Sequence, residues 1–349
     1  MRYGGRRARN GACAIVAAAG LGLAGTAEAQ TSTVSGTQGS DLINNFDKFV
    51  APIVRDQVRN ATGAVQKRIA DVDQRANAQA NAASGGAGLA AGDAVKAKGV
   101  WGDITSSHIS TRNTDSVVNG TGQQDGTSDV ATFGLDGQWG KWVLGTAVSA
   151  NFADVDLDND GRNRSVGVSI TPYAGLAIDD VWSLGAQAGY TRSNYDLVLR
   201  RRDANSARGN FDSDRFLAAA NANAFKAFDA WQLTGTAGLL YARENAHHFD
   251  LKTANGGPTQ RASPGALQLG QFKLGGEVGY LIDSWEPYAG AMLEVDFINL
   301  GTDRVGGVYK GGFRYHFENG TTAGFEGSIV GQRNEEQNFS VGGNFRYEF

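Results

Sequence analysis

The sequence has little of what stabilises or anchors most folds. Cysteine occurs once in 349 residues, at Cys13, and proline only five times. One thiol forms no intramolecular disulfide and no thiolate metal cage. Scarce proline leaves long stretches free to run as continuous hydrogen-bonded strands. Beyond the N-terminal segment, no apolar run approaches the ~18–20 residues that a membrane-spanning helix needs. No basic excess exists either: the formal charge is −4. An acidic chain without a basic stripe argues against nucleic acid as a partner. No nucleophile elbow, phosphate loop or metal-ligand spacing appears, so neither a catalytic residue nor a cofactor is expected.

What is present begins with a processing signal. Arg2, Arg6, Arg7 and Arg9 precede an apolar run from Cys13 to Gly25, and Ala27-Glu28-Ala29 fits a small-x-small cleavage site. Residues 1–29 read as a signal peptide. Its removal takes away the only cysteine, four arginines and one glutamate, and deepens the formal charge from −4 to −7. Residues 30–40 are polar. Residues 41–80 read as an amphipathic helix, because Ile43, Phe46, Val50, Ile53, Val54, Val58, Val65, Ile69 and Val72 recur at three- and four-residue steps. Pro52 is a kink or a second start within it. Residues 81–97, rich in Ala and Gly, read as a linker.

From residue 98 the period changes to two. Twelve strands are expected, near 98–109, 127–139, 140–153, 163–176, 180–192, 211–226, 229–245, 265–281, 284–298, 304–317, 320–330 and 337–349. The last is the clearest. Phe339, Val341, Phe345, Tyr347 and Phe349 share one face, against Ser340, Asn344, Arg346 and Glu348. Short turns alternate with long polar loops, and all six tryptophans (Trp101, Trp139, Trp142, Trp182, Trp231, Trp285) fall near short-turn ends, as an interfacial girdle would. Mean hydropathy is only −0.32, but a barrel needs apolar residues at alternate positions alone. The predicted fold is all-β: a 12-stranded antiparallel up-and-down transmembrane β-barrel over 98–349, preceded by an N-terminal α-helix. Its expected place is the outer membrane of a Gram-negative bacterium.

The polar faces of the last five strands carry Lys273, Glu277, Glu294, Asp296, Lys310, Arg314, His316, Glu326, Arg346 and Glu348, which are read as lumen charges. They suit a wall of cross-strand pairs, a socket for the upstream helix, or a selective constriction. Asp156, Asp158 and Asp160, followed by Gly161, match the first half of a calcium loop. The twelfth position is Gly167 where a bidentate Glu is required, so a solvated acidic loop is the preferred reading. His247, His248 and Asp250 cluster at a strand end and read as an ordinary polar loop.

Taken together, the signal segment, the helical linker, twelve strands, Gly99-Val100-Trp101-Gly102 and the terminal Phe345-Arg346-Tyr347-Glu348-Phe349 resemble the translocator domain of classical autotransporters (type V secretion). The resemblance implies insertion by the outer-membrane barrel assembly machinery with periplasmic chaperones. Phe345, Tyr347 and Phe349 would serve as the assembly signal, a helix would thread the lumen, and an N-terminal passenger would be exported. Asn44-Asn45 resembles the pair at which some autotransporters cleave themselves, although it lies farther from the first strand. Residues 30–97 offer about seventy positions and no β-helical repeat, so the expected cargo is a short N-terminal segment, translocated or anchored. The alternatives are a passive porin-like channel and a surface adhesin acting through outer loops. Helix 41–80 also suits self-association through its apolar stripe.

Overall fold

The computed structural model describes residues 46–84, 98–112, 123–157, 161–200, 206–253, 259–298, 304–333 and 336–349. The signal segment, residues 30–40, Asn44-Asn45, Asp158 and Asp160 lie outside the described residues. One helix, α1, spans Phe46–Ser84. It ends past the expected limit near Ala80: the apolar stripe stops at Val72, but the alanines, strong helix formers, continue to Ala83. Pro52 lies inside α1 without ending it.

The strands are β1 (Lys98–Arg112), β2 (Gln123–Trp139), β3 (Trp142–Leu157), β4 (Gly161–Ala177), β5 (Trp182–Arg200), β6 (Ser206–Phe228) and β7 (Trp231–Ala246), then two short ones, β8 (Phe249–Thr253) and β9 (Gln260–Ala262). They continue as β10 (Ala266–Tyr280), β11 (Trp285–Ile298), β12 (Val305–His316), β13 (Thr322–Arg333) and β14 (Glu336–Glu348). Twelve of them, β1–β7 and β10–β14, pair antiparallel in chain order around a ring. β1 closes the ring on β14, in register from Gly99 opposite Glu348 to Thr111 opposite Glu336. Closure pairs the backbone polar groups that an open edge would leave orphaned in lipid, at several kcal/mol each. Phe349 seals the seam, exchanging backbone hydrogen bonds with Lys98 at 3.0 and 3.2 Å.

The tight turns fall where the sequence placed them. Gly140 and Gly320 take positive φ (58° and 82°), as do Asp229 (51°) and Asp283 (54°). Asp tolerates that region better than most residues because its short polar side chain bonds locally. These turns share one end with the chain ends of the wall. The opposite end is uneven: β6 runs 23 residues and β13 only 12. The β8–β9 hairpin raises the rim further, with β8 pairing onto β6 through Ala207–Thr253 and Arg208–Lys252.

Strict alternation gives the wall two faces. Phe133, Leu135, Val148, Phe152, Val166, Val168, Ile170, Leu184, Phe216, Leu239, Leu274, Phe297, Tyr309, Phe325 and Phe339 point outward and are exposed. Their neighbours in sequence point inward and are mostly buried. An apolar exterior around a polar interior is the arrangement a bilayer demands of a barrel.

Candidate functional site: the helix-filled lumen

The lumen is filled by α1, which packs against β1–β6 and β10. Its direction is fixed at both ends. Asn163, at the loop end of β4, donates from Nδ2 to the Phe49 carbonyl at 3.1 Å. Toward the turn end, Arg68 grips Asp136 and Glu348. The helix therefore runs from the long-loop mouth toward the short-turn mouth.

Three layers hold it. The long-loop mouth is apolar. Phe49, Val50, Ile53, Val54 and Val58 enter one cluster with Ile109, Val155, Leu157, Leu197, Leu199, Leu240, Leu251 and Leu269. Tyr195, Phe211 and Phe249 stack in series within it, with ring centres 4.8 and 4.6 Å apart. A polar lumen throughout was the expectation. The difference arises because this part of the wall meets the apolar stripe of α1 rather than water. From Phe49 to Ile69 the stripe is buried, so among the described residues it offers no free seam for self-association between copies.

The middle layer is ionic. Arg55 of α1 pairs with Glu336 and, at 3.4 Å, with Asp296. Arg59 meets Glu294 at 3.1 Å. Arg333 bonds Asp296 at 2.9 Å, and Lys273 approaches Glu294 at 3.7 Å. On the other side, Arg215 bonds Glu244 at 2.7 Å and reaches Gln57 of α1 at 3.1 Å. Buried ions survive desolvation only when paired and hydrogen-bonded in this manner. Pairing thus ties helix cations to wall carboxylates.

The third layer lies toward the short turns. Lys67 meets Glu326 at 2.8 Å and Asp103 at 3.7 Å. Lys310 bonds Glu277 at 2.6 Å, and Arg314 bonds Glu277 and Glu286. His316 faces Glu286 at 2.7 Å. Arg346 approaches Glu348 at 3.4 Å. A crevice of about 210 Å³ separates α1 from this charged side, lined by Gly63, Ala64, Lys67, Gly275, Gly276 and Lys310. The β2–β6 side differs: Ser128, Thr132, Ser149, Asn151, Ser165, Ser169, Gln187 and Asn221 face α1 there. One half of the lumen wall is mainly hydroxyl and amide, the other is charged.

The nine lumen charges named from the sequence, with His316, all join these inner layers. Others escaped that reading. Arg333 and Glu336 fell in a segment assigned to a loop, Asp136 and Glu244 stand alone on otherwise uncharged faces, and Glu286 shares the inward face of β11 with Glu294 and Asp296; strict parity along each strand would have found the last three. Phe345, Tyr347 and Phe349 point outward. Trp139, Trp142, Trp182, Trp231 and Trp285 are each about half exposed at the turn end. Trp101 is a correction: it is inward and only 3% exposed. Its parity matches Asp103 rather than Ile104, and its indole N–H donates to the Tyr173 hydroxyl at 2.7 Å. Asp156 is exposed, and no group of three or more possible metal ligands occurs among the described residues. His247 pairs with Asp214 and His248 with Ser263, so the two imidazoles do not converge.

A closed twelve-stranded barrel with a lipid-facing exterior and a helix threaded through a charged lumen defines the class: an outer-membrane translocator-type barrel. The chain belongs to the autotransporter family, since the autotransporter beta-domain model matches residues 100–346. Among solved structures it is similar to the translocator domain of autotransporter NalP from Neisseria meningitidis (TM-score 0.63, 14% identity, 84% of this chain and 99% of that one). It is also similar to the beta domain of the Bordetella autotransporter BrkA (0.61, 16%, 72% and 98%) and to the transport unit of AIDA-I from Escherichia coli (0.51, 15%, 84% and 99%). At such identities the likeness is one of fold. No curated protein matches the sequence. The family places the barrel in the Gram-negative outer membrane, with its outward face against lipid.

Proposed function

We propose that this autotransporter barrel carries the segment upstream of Phe46 to the cell surface and then holds it there, with α1 remaining in the lumen as anchor and plug. The observation that carries the reading is the direction of α1. Its Phe49 end meets the long-loop mouth and its Arg68 end meets the turn end. In outer-membrane barrels the short turns face the periplasm and the long loops face outside. The upstream chain therefore emerges on the outer side. The barrel works without catalysis: the lumen shields a polar chain from lipid, and packing against α1 ends the transit. Phe345, Tyr347 and Phe349 are read as the signal met by the assembly machinery after chaperone delivery. A permanently open channel is the less favoured reading, because apolar and ionic layers close around the helix.

Cysteine labelling tests this directly, since the mature chain has no native thiol. Ser40→Cys is expected to react with an impermeant maleimide on intact cells, and Ala90→Cys only after the outer membrane is breached. Labelling of position 40 only after breaching overturns the reading. In planar bilayers, deletion of 46–84 should raise a small conductance severalfold; an equally large conductance with the helix present points to a channel instead.

A further inference from the structure

The lumen wall and α1 carry opposite charge, and the wall does not neutralise itself. Ten wall carboxylates enter the ion pairs of the lumen. Among the described residues six wall cations stand with them: Arg215, Lys273, Lys310, Arg314, Arg333 and Arg346. The helix supplies the balance. Arg55, Arg59, Lys67 and Arg68 each sit on a wall carboxylate. Asp103 and Asp136 have no cation other than Lys67 and Arg68 among the described residues. Asp56 is the one acid of α1 between Phe49 and Ala70. It accepts from Asn60 of the same helix at 3.0 Å, lies 3.9 Å from Arg59, and meets no wall cation among the described residues.

Without α1 the wall keeps its surplus of carboxylates around a lumen enclosed by hydrocarbon. A low-dielectric enclosure focuses such a field, and acid-lined pores draw cations. The segment that precedes α1 differs from it in the same respect, since residues 30–45 contain no Lys or Arg. We propose that the emptied lumen selects by sign of charge: it lets a cation-free segment pass and arrests the basic helix that follows. This rests on the transit reading above and adds what the wall recognises.

The test starts from the full chain, assembled with a protease site added within residues 85–97. After assembly α1 is cut free and stripped with urea, and unboiled gel mobility verifies that the barrel persists. Reversal potentials in a potassium chloride gradient should then favour potassium over chloride roughly tenfold. Brief openings of uncut Ile53→Ala protein, with its loosened helix, give the same ratio by a second route. Glu277 and Glu286 bond wall residues and not α1. Glu277→Gln with Glu286→Gln removes half of the surplus and should lower the ratio to roughly threefold. A synthetic peptide of residues 49–70 should block the emptied barrel. The same peptide with Arg55→Gln, Arg59→Gln, Lys67→Gln and Arg68→Gln should block roughly tenfold more weakly. The proposal is overturned if chloride permeates as well as potassium, if the two wall substitutions leave the ratio unchanged, or if the neutralised peptide blocks as well as the native one. Labelling of Ser40→Cys reads the direction of the upstream chain and not the sign of the wall, so the transit reading stands or fails separately.

Discussion

The Arg68 guanidinium and the Asp136 carboxylate form a two-bond fork, Nε to Oδ2 at 2.6 Å and Nη2 to Oδ1 at 2.5 Å, with both side chains almost wholly buried. It joins α1 to β2. Tyr173 adds a third bond, its hydroxyl donating to Asp136 Oδ2 at 2.7 Å, and Glu348 accepts from Arg68 at 3.2 Å. Removing Asp136 takes from the buried Arg68 guanidinium its two shortest bonds. Asp136→Ala is expected to cost about 3–5 kcal/mol. Replacing both members with apolar residues should cost less than that single change. Urea unfolding in detergent, followed by gel mobility without boiling, measures both. A loss below 1 kcal/mol for Asp136→Ala shows that the helix does not depend on this fork.

Trp101 should behave unlike the other five tryptophans. A buried indole keeps its N–H satisfied, here by Tyr173, while an interfacial one keeps its ring near lipid. Lipids brominated along their chains should quench a protein carrying Trp139, Trp142, Trp182, Trp231 and Trp285, and should spare one that retains Trp101 alone. Tyr173→Phe should shift the emission of that single-tryptophan protein. Equal quenching in both proteins places Trp101 on the outer face after all.

The contrast between Trp101 and the other five marks how far the sequence was legible. Alternation alone located twelve wall strands, because a period of two is imposed by the pleat and the bilayer amplifies it into a chemical contrast. Turns were legible through Gly140, Asp229, Asp283 and Gly320, whose conformations few residues adopt. The face a strand end presents was less legible. Trp101 neighbours both Gly102 and Asp103, and only its parity with Asp103 assigns it inward. The apolar mouth was hidden for a different reason. Leu197, Leu240 and Leu269 suit either lipid or a packed interior, and only the path of α1 decides between them. The ion layers needed three-dimensional proximity: Arg55 and Glu336 are 281 residues apart.

The mouth cluster gives a prediction of its own. Ile53 has no exposed surface and sits among leucines and valines from both helix and wall. Truncation leaves a cavity that close-packed neighbours fill only in part. Ile53→Ala should cost about 2–5 kcal/mol and loosen the helix before the wall. Protease cleavage within 46–60 on folded barrels then rises, while the unboiled mobility of the barrel is retained. Wild-type protease resistance in the variant removes the mouth from the list of contacts that hold α1.

The turn between β4 and β5 responds to pH in a defined direction. The Asp179 carboxylate accepts backbone N–H bonds from Val181 at 2.9 Å and Trp182 at 2.8 Å. Those two donors hold its pKa below the ordinary aspartate value. A carboxylate bound more tightly when ionised favours the ordered turn above its unfolded pKa of about 3.9. That contribution disappears as pH falls through the lower folded value. NMR titration in micelles should place the Asp179 carboxyl midpoint below that of an unstructured aspartate, with the Val181 and Trp182 amide signals moving at the same pH. Asp179→Asn keeps the acceptor oxygen, so in that variant both amides should stay fixed across the acidic range. A midpoint at or above the ordinary value means that the two backbone bonds do not persist in solution, and the tryptophan beside them then has no fixed seat at the interface.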